Sequence, residues 1–156
     1  MRYRCLHQLD QLTFTFLKDG ETQSDRLSYS ELDRRSRAIA GQLQALGASG
    51  ERPLLLYPPG LDYIAAFFGC LYAGAIAVPA YPPRNQRHAA RLQTAVSVAT
   101  DSQAVLALTT TAILPQVQSL LATKEELYTG SLRNYTLAHY RYNFPRNRRH
   151  LAKTLN

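Results

Sequence analysis

The chain has few of the residues from which metal and redox sites are built. Its two cysteines, Cys5 and Cys70, form no metal-ligand cluster, and Cys70 lies in an apolar segment where a thiol behaves as a small hydrophobic side chain. The four histidines keep no ligand spacing with a cysteine or a carboxylate: His7, His88, His139 and His150. We therefore predict no metal site and a structural or exposed role for each histidine.

Glycine-rich phosphate-binding motifs are also missing. The eight glycines form neither a G-x-G-x-x-G pattern nor a Walker A pattern. Glu31 and Asp33 lie close in sequence, but residues two apart on a helix point to different faces, so capping and solvation explain them. The sequence therefore predicts no catalytic, cofactor-binding or metal-binding residue in this chain.

No charged residue occurs between Tyr63 and Pro83, which raises the alternative of a membrane span, since roughly 20 apolar residues cross a bilayer. Gly74 and the following prolines limit the helical part to about 13 residues, the length of a core helix. The N-terminus has no apolar signal region and no small-residue cleavage site. We therefore predict a cytoplasmic protein without a membrane span, and 46% hydrophobic and 19% charged residues indicate a globular domain.

Residues 54–84 predict a β-α-β unit. The runs 54–57 (LLLY) and 76–78 (IAV) end at prolines, are too short for helices and indicate strands buried on both faces. Residues 61–73 contain no proline and predict a helix that ends at Gly74. The predicted buried face of this helix has large apolar side chains at spacings of three and four: Ile64, Phe67, Phe68 and Leu71.

A hairpin and a helix precede this unit. Residues 12–17 (LTFTFL) alternate in polarity, which predicts a strand, and a turn at 18–20 leads to a second extended segment at 26–29. Ser30 and Asp33 form a capping-box pattern before a helix over 31–46. Gly47 ends this helix. Its predicted buried face holds Leu32, Ile39, Leu43 and Leu46, and its polar face holds Arg34, Arg35, Arg37 and Gln42.

Three further elements follow. Residues 84–99 predict a helix, residues 104–108 (AVLAL) a third parallel strand, and residues 111–122 a last helix with Pro115 in its first turn. The buried face of the first of these helices holds Ala89, Leu92, Val96 and Ala99. The fold class is therefore α/β: a β-hairpin followed by alternating helices and strands in a partial, mostly parallel, doubly wound sheet, and then an irregular basic tail.

Two proline-rich segments follow the carboxyl ends of predicted strands, at residues 58–60 (PPG) and 81–84 (YPPR). Ligand crevices of α/β sheets open at such ends. Prolines also stop strands in turns, and turn chemistry is the favoured interpretation of both segments.

Several motifs resemble a known family of enzymes. Residues 27–32 (LSYSEL) and 71–79 (LYAGAIAVP) look like the first two motifs of the adenylate-forming enzymes. Four stretches in the right order and spacing resemble the N-terminus of fatty acyl-AMP ligases: residues 16–21 (FLKDGE), 54–62 (LLLYPPGLD), 68–74 (FGCLYAG) and 78–84 (VPAYPPR). The likeness runs from about residue 2 to residue 122, which we assign to the N-terminal part of an AMP-dependent synthetase/ligase domain.

The resemblance implies an enzyme that activates a fatty acid with ATP and Mg²⁺ to an acyl-adenylate and transfers the acyl group to an acyl carrier protein. The family's phosphate loop, ribose-binding aspartate and C-terminal lysine carry this chemistry, and no stretch of this sequence matches them. Residues 128–131 (YTGS) lack the spacer and the aspartate of the family's Y-x-T-G-D motif. The chain is therefore predicted to be a truncated ligase, inactive alone and without its own cofactor.

The tail, residues 123–156, differs from the rest of the chain. It has 7 Lys and Arg against 2 Asp and Glu, a net charge of +5, whereas residues 1–122 have 11 against 9, a net charge of +2. The favoured interpretation is a poorly ordered extension, in one version the product of a reading frame lost near Ala122. The less favoured alternative is binding of single-stranded nucleic acid or a membrane surface through interleaved aromatic and basic residues. A third interpretation is a non-catalytic subunit that completes a split ligase with a partner chain.

Overall fold

A computed structural model describes residues 2–82, 89–115, 117 and 136–139. In this part of the chain the helices and strands occur in the following order: α1 Arg2–His7, β1 Leu12–Leu17, β2 Gln23–Ser28, α2 Tyr29–Ala45, β3 Pro53–Leu56, α3 Leu61–Ala73, β4 Val78–Ala80, α4 Ala89–Asp101, β5 Leu106–Thr109 and β6 Thr136–His139. The predicted alternation of strands and helices after a hairpin is confirmed.

The strands form two sheets. β1 and β2 pair as an antiparallel hairpin, and the other strands form a parallel sheet in the order β4-β3-β5-β6. β6 lies within the tail, where the sequence predicted no strand, and pairs with β5 so that Thr109 is opposite His139. Residues 118–135 and 140–156, with most of the aromatic and basic pattern of the tail, lie outside the described residues.

Alternate residues of the parallel strands face two hydrophobic cores. Leu55 and Leu108 pack with α2, α3 and the hairpin on one side of the sheet. Leu54, Leu56 and Ala107 pack with α4 on the other side. All four residues of β3 are buried, as expected for a strand of a parallel sheet with helices on both faces.

The start of α2 differs from the prediction. Ser28, not Ser30, is the N-cap, and its Oγ accepts a hydrogen bond from the N–H of Glu31 at 3.2 Å. Both serines are followed three residues later by an acidic residue, so both fit the capping pattern. Ser28 is the N-cap because β2 ends at this residue and the helix begins directly after it. The predicted stop at Gly47 is confirmed, with φ of 70°, but Leu46 is exposed because it lies beyond the last helical turn.

α3 has the predicted bounds but buries a different face. Gly74, with φ of 74°, ends it in a Schellman motif in which the N–H groups of Gly74 and Ala75 donate to Leu71 and Cys70 carbonyls. The buried face consists mostly of small residues: Leu61, Ala65, Ala66, Gly69, Cys70 and Ala73. The predicted buried face is found only in part: Ile64, Phe67 and Phe68 are half-buried and pack against the core, whereas Leu71 is 52% exposed.

The close approach of α2 explains which face of α3 is buried. A Cβ atom added to Gly69 would lie 2.6 Å from Cγ2 of Ile39 and 3.2 Å from the carbonyl oxygen of Ser36. Large side chains do not fit at this distance, so α3 turns its small residues toward α2. The same two helices are joined by a hydrogen bond from the Tyr72 hydroxyl to Asp33 Oδ1 at 2.8 Å.

The last strand of the predicted β-α-β unit is displaced. It was expected at residues 76–78 but occupies Val78–Ala80, so that Pro79 lies inside β4 and pairs with Leu55 of β3. β4 is an edge strand of the described sheet, and an edge strand tolerates proline because only one of its sides needs ladder hydrogen bonds. Ile76, which was predicted to lie in the strand, is 52% exposed.

The predicted elements after β4 are found in part. α4 buries Ala95, Val96 and Ala99, whereas residues 84–88 and the side chains of Ala89 and Leu92 lie outside the described part. β5 begins two residues later than predicted. Val117 of the predicted last helix is helical and fully buried, and residues 116 and 118–122 of that helix lie outside the described residues. No helix in the described ranges is long and apolar enough to cross a bilayer.

Asp19 organises the turn between β1 and β2. Its Oδ1 accepts hydrogen bonds from the N–H groups of Thr22 at 2.6 Å and Glu21 at 3.1 Å, and its Oδ2 accepts one from the Thr22 hydroxyl at 2.8 Å. The hydrogen bonds from Thr22 and Glu21 lower the pKa of Asp19 from 3.8 to about 2. The ionised carboxylate therefore stabilises the folded hairpin.

Because the pKa of Asp19 is lower in the folded state, this stabilisation is fully present above the ordinary value of 3.8 and is lost as the pH falls toward 2. We expect Asp19→Asn to melt at a lower temperature than the unmodified chain at neutral pH, and the difference to shrink as the pH falls from about 4 to about 2. Melting followed by circular dichroism measures this. Asp25→Asn, an exposed change on the neighbouring strand, is the control; a gap for Asp19→Asn that stays constant over the window contradicts the prediction.

Candidate ligand-binding cavity

A cavity of about 390 Å³ lies at the carboxyl ends of β3 and β4. The residues after β3, the first turn of α3, and the end of β4 supply its lining: Tyr57, Pro58, Pro59, Tyr63, Pro79, Ala80 and Tyr81. Its size falls in the range of small-molecule sites, which occupy roughly 300–1,000 Å³.

The parallel pairing of β3 and β4 brings the lining residues together. Leu56 is opposite Ala80, so the chain leaves both strands at the same edge of the sheet. Turn chemistry was the favoured interpretation of the two proline-rich segments, and the structure places Pro58 and Tyr81 of these segments around one cavity. Pro83 and Arg84 lie outside the described residues.

The lining residues that the structure describes are apolar apart from three phenol hydroxyl groups. Tyr57 is buried, Tyr63 is half-buried with its ring centroid 6.3 Å from that of Phe67, and Tyr81 is 78% exposed at the mouth. Among the described residues of the lining, none is a Lys, Arg, Asp or Glu. This chemistry suits an apolar part of a ligand, because phosphate groups are bound by cationic side chains and backbone N–H groups.

Two threonines, Thr109 at the end of β5 and Thr110 directly after it, lie at the same edge of the sheet. The Thr109 hydroxyl donates to the carbonyl of Leu56 at 2.8 Å and so links the ends of β5 and β3. The Thr110 hydroxyl is buried without a hydrogen-bond partner among the described residues. Sequence reasoning missed both residues, although three successive threonines after an apolar run were the available signal.

The carboxylates on α2 are held in ion pairs. Glu31 lies 2.7 Å from Arg35 Nη2, and Asp33 lies 2.7 Å from Arg37 Nε. Burial opposes the ionisation of Glu31, but the hydrogen bond and charge of Arg35 outweigh it and lower the pKa of Glu31. These carboxylates therefore stabilise α2 and its contacts.

Burial also reduces the reactivity of the groups on the inner side of α3. It raises the pKa of the Cys70 thiol to about 12, so the thiolate is scarce at neutral pH. Burial, followed by the hydrogen bond to Asp33, raises the pKa of Tyr72. Across the described ranges, no three His, Cys, Asp or Glu side chains cluster closely enough to hold a metal ion.

Comparisons with known proteins identify relatives. A family model described as AMP-binding enzyme matches residues 7–142. The medium-chain-fatty-acid–[acyl-carrier-protein] ligase JamA of Moorena producens is 46% identical over 109 residues, which make up 70% of this chain and 18% of JamA. The long-chain-fatty-acid–AMP ligase FadD32 of Mycolicibacterium smegmatis is 42% identical over 87 residues, 53% of this chain and 14% of FadD32.

A solved structure supports the same relationship. The fatty acid AMP ligase from Legionella pneumophila aligns with a TM-score of 0.66 and 42% identity, covering 74% of this chain and 19% of that chain. The chain thus spans less than a fifth of the length of these relatives. The family match also continues past residue 122, where the likeness was expected to stop, and includes β6. The chain belongs to the family of AMP-binding enzymes, and it is similar to the fatty acyl-AMP ligases among them.

Proposed function

We propose that this chain corresponds to the N-terminal part of a fatty acyl-AMP ligase, an enzyme that joins a fatty acid to the AMP group of ATP and releases pyrophosphate. The observation that carries the proposal is 46% identity to JamA over 70% of the chain, together with the fold shared with a fatty acid AMP ligase. By analogy with JamA, the acceptor of the acyl group is an acyl carrier protein. ATP is the co-substrate, and the cytoplasm is the proposed compartment.

The chain alone is proposed to be inactive. No stretch of its sequence matches the family's phosphate loop, and transition-state charge on transferring phosphoryl groups needs such donors. The Mg²⁺ implied by the family does not fit a site on the described residues, since they contain no cluster of metal-ligating side chains. We therefore assign neither ATP nor Mg²⁺ to particular residues of this chain.

A fusion enzyme tests the proposal. The segment of JamA that matches this chain is replaced by this chain's own residues, and pyrophosphate release is measured with ATP and a medium-chain fatty acid. We expect fatty-acid-dependent release by the fusion, and none by this chain alone or by JamA from which the segment has been deleted. A soluble, folded fusion without activity, or fatty-acid-dependent release by the chain alone, would overturn the proposal.

Within this proposal, the cavity contacts the apolar part of the substrate, because the described residues of its lining are apolar and uncharged. Ala80→Phe in the fusion should fill part of the cavity and raise KM for the fatty acid about tenfold, equivalent to about 1.4 kcal/mol, while KM for ATP stays unchanged. Thr15→Phe on the exposed side of β1 is the control. An increase confined to KM for ATP would show that the cavity does not bind the fatty acid.

A further inference from the structure

The cavity at the carboxyl ends of β3 and β4 has a stiff wall. Three of its described lining residues are prolines, Pro58, Pro59 and Pro79. A proline has a fixed φ and no backbone N–H, so this part of the wall offers little movement and no main-chain hydrogen-bond donor. The space for a ligand is therefore set by the other described lining residues, of which three are tyrosines.

These tyrosines lie at different positions between the core and solvent. Tyr57 is buried and belongs to the core formed with α2 and α3, so its ring is held from behind. Tyr81 is 78% exposed at the mouth and does not limit the depth of the cavity. Tyr63, in the first turn of α3, is half-buried between these two extremes. Its side chain can therefore change in size with less effect on the core than that of Tyr57.

Aromatic side chains lie directly behind Tyr63. Its ring centroid is 6.3 Å from that of Phe67, one helical turn further along α3, and the Phe67 ring meets Phe68 edge-on at 6.1 Å. Phe67 and Phe68 pack against the core and are not among the lining residues that the structure describes. Tyr63 therefore separates the cavity from an apolar layer, and removal of its ring would extend the cavity toward Phe67.

We propose that Tyr63 determines the length of the acyl chain that the ligase accepts, an inference that rests on the proposed function. The end of the acyl chain contacts the Tyr63 ring. A longer chain meets this ring before its carboxyl group reaches the position for reaction, because the stiff wall does not give way. One methylene group in an apolar pocket changes specificity about 10-fold to 200-fold, so the volume of an aromatic ring is sufficient to change the preferred chain length.

The fusion with JamA tests this inference. It is prepared with Tyr63→Ala, Tyr63→Trp or Tyr63→Phe, and kcat/KM for pyrophosphate release is measured with octanoate, decanoate, dodecanoate and tetradecanoate. We expect Tyr63→Ala to raise the ratio of kcat/KM for tetradecanoate to that for octanoate at least about tenfold, and Tyr63→Trp to lower the ratio. Tyr63→Phe keeps the ring and is the matched control, so it should leave the ratio unchanged.

The ratio separates a role in specificity from a structural role. A variant that is merely less stable loses the same factor of kcat/KM for all four fatty acids, and its ratio does not change. Circular dichroism shows whether each variant folds. If Tyr63→Ala does not fold, Tyr63→Leu replaces it, because leucine keeps an apolar side chain of intermediate size and should shift the ratio in the same direction by less.

Three results would contradict the inference or the proposal beneath it. An unchanged ratio in active fusions with the smaller and the larger side chain would overturn the role of Tyr63 and leave the proposed function in place. A shift by Tyr63→Phe as large as that by Tyr63→Ala would assign selectivity to the hydroxyl group and overturn the role of ring size. If the unmodified soluble fusion shows no fatty-acid-dependent release, the proposed function itself fails.

Discussion

Leu55→Ala is expected to lower the free energy of unfolding by about 2–5 kcal/mol. Leu55 is 0% exposed in the middle of β3, which pairs with both β4 and β5, and its side chain lies in the core formed with α2 and α3. Removing its side chain leaves a cavity between the sheet and the two helices. The backbone hydrogen bonds of β3 with β4 and β5 hold the strand in place, so the cavity cannot close fully. Domains are stable by only about 5–15 kcal/mol, so this is a large fraction of the total.

Urea denaturation followed by circular dichroism measures the change in the free energy of unfolding. Leu12→Ala is the matched control, because Leu12 is a strand leucine that is 50% exposed, and its effect should stay within about 0.5 kcal/mol. Equal losses for the two variants would show that Leu55 does not lie in the core.

Gly69→Ala is expected to destabilise the chain by about 1–3 kcal/mol, although alanine is the better helix former. The added Cβ would lie 2.6 Å from Cγ2 and 2.8 Å from Cβ of Ile39, so α2 and α3 would have to move apart. Because α3 carries much of the core, the movement disturbs more than one contact. Chemical denaturation measures the loss.

Gly41→Ala provides a control that is expected to change the free energy of unfolding in the opposite direction. Gly41 lies within α2, and an added Cβ would meet no atom within 4 Å beyond its chain neighbours and the adjacent backbone of α2, so alanine should stabilise the chain by about 0.5–1 kcal/mol. Combining Gly69→Ala with Ile39→Ala should cost less than the sum of the two single changes, since the second change removes the clashing Cγ2. Stabilisation by Gly69→Ala alone would contradict the close packing of the two helices.

Local sequence features were sufficient for several elements. α3 starts and ends at the predicted residues because Gly60 interrupts the chain before it and Gly74 supplies the left-handed conformation after it. The apolar run before Pro58 predicted β3 to within one residue. The motifs around these elements were also sufficient to indicate the family, because their order and spacing lie in the sequence itself.

Other features depend on contacts between distant residues. Large apolar residues spaced three and four apart did not identify the fully buried face of α3, because the pattern could not reveal that α2 approaches within contact distance of Gly69. Two serines fitted the same capping pattern, and the end of β2 selected Ser28. The cavity exists because β3 and β4 run parallel and bring separate proline-rich segments to one edge of the sheet.

The amino-acid sequence by itself determined where most helices and strands lie, the apolar character of α3 and the family of the chain, because each depends on residues close together in sequence. Only the tertiary structure decided which side of α3 is buried, that β6 of the tail joins the sheet beside β5, and that three tyrosines share one cavity. These features depend on how closely two helices or strands approach each other, and packing in space rather than local preference sets that distance.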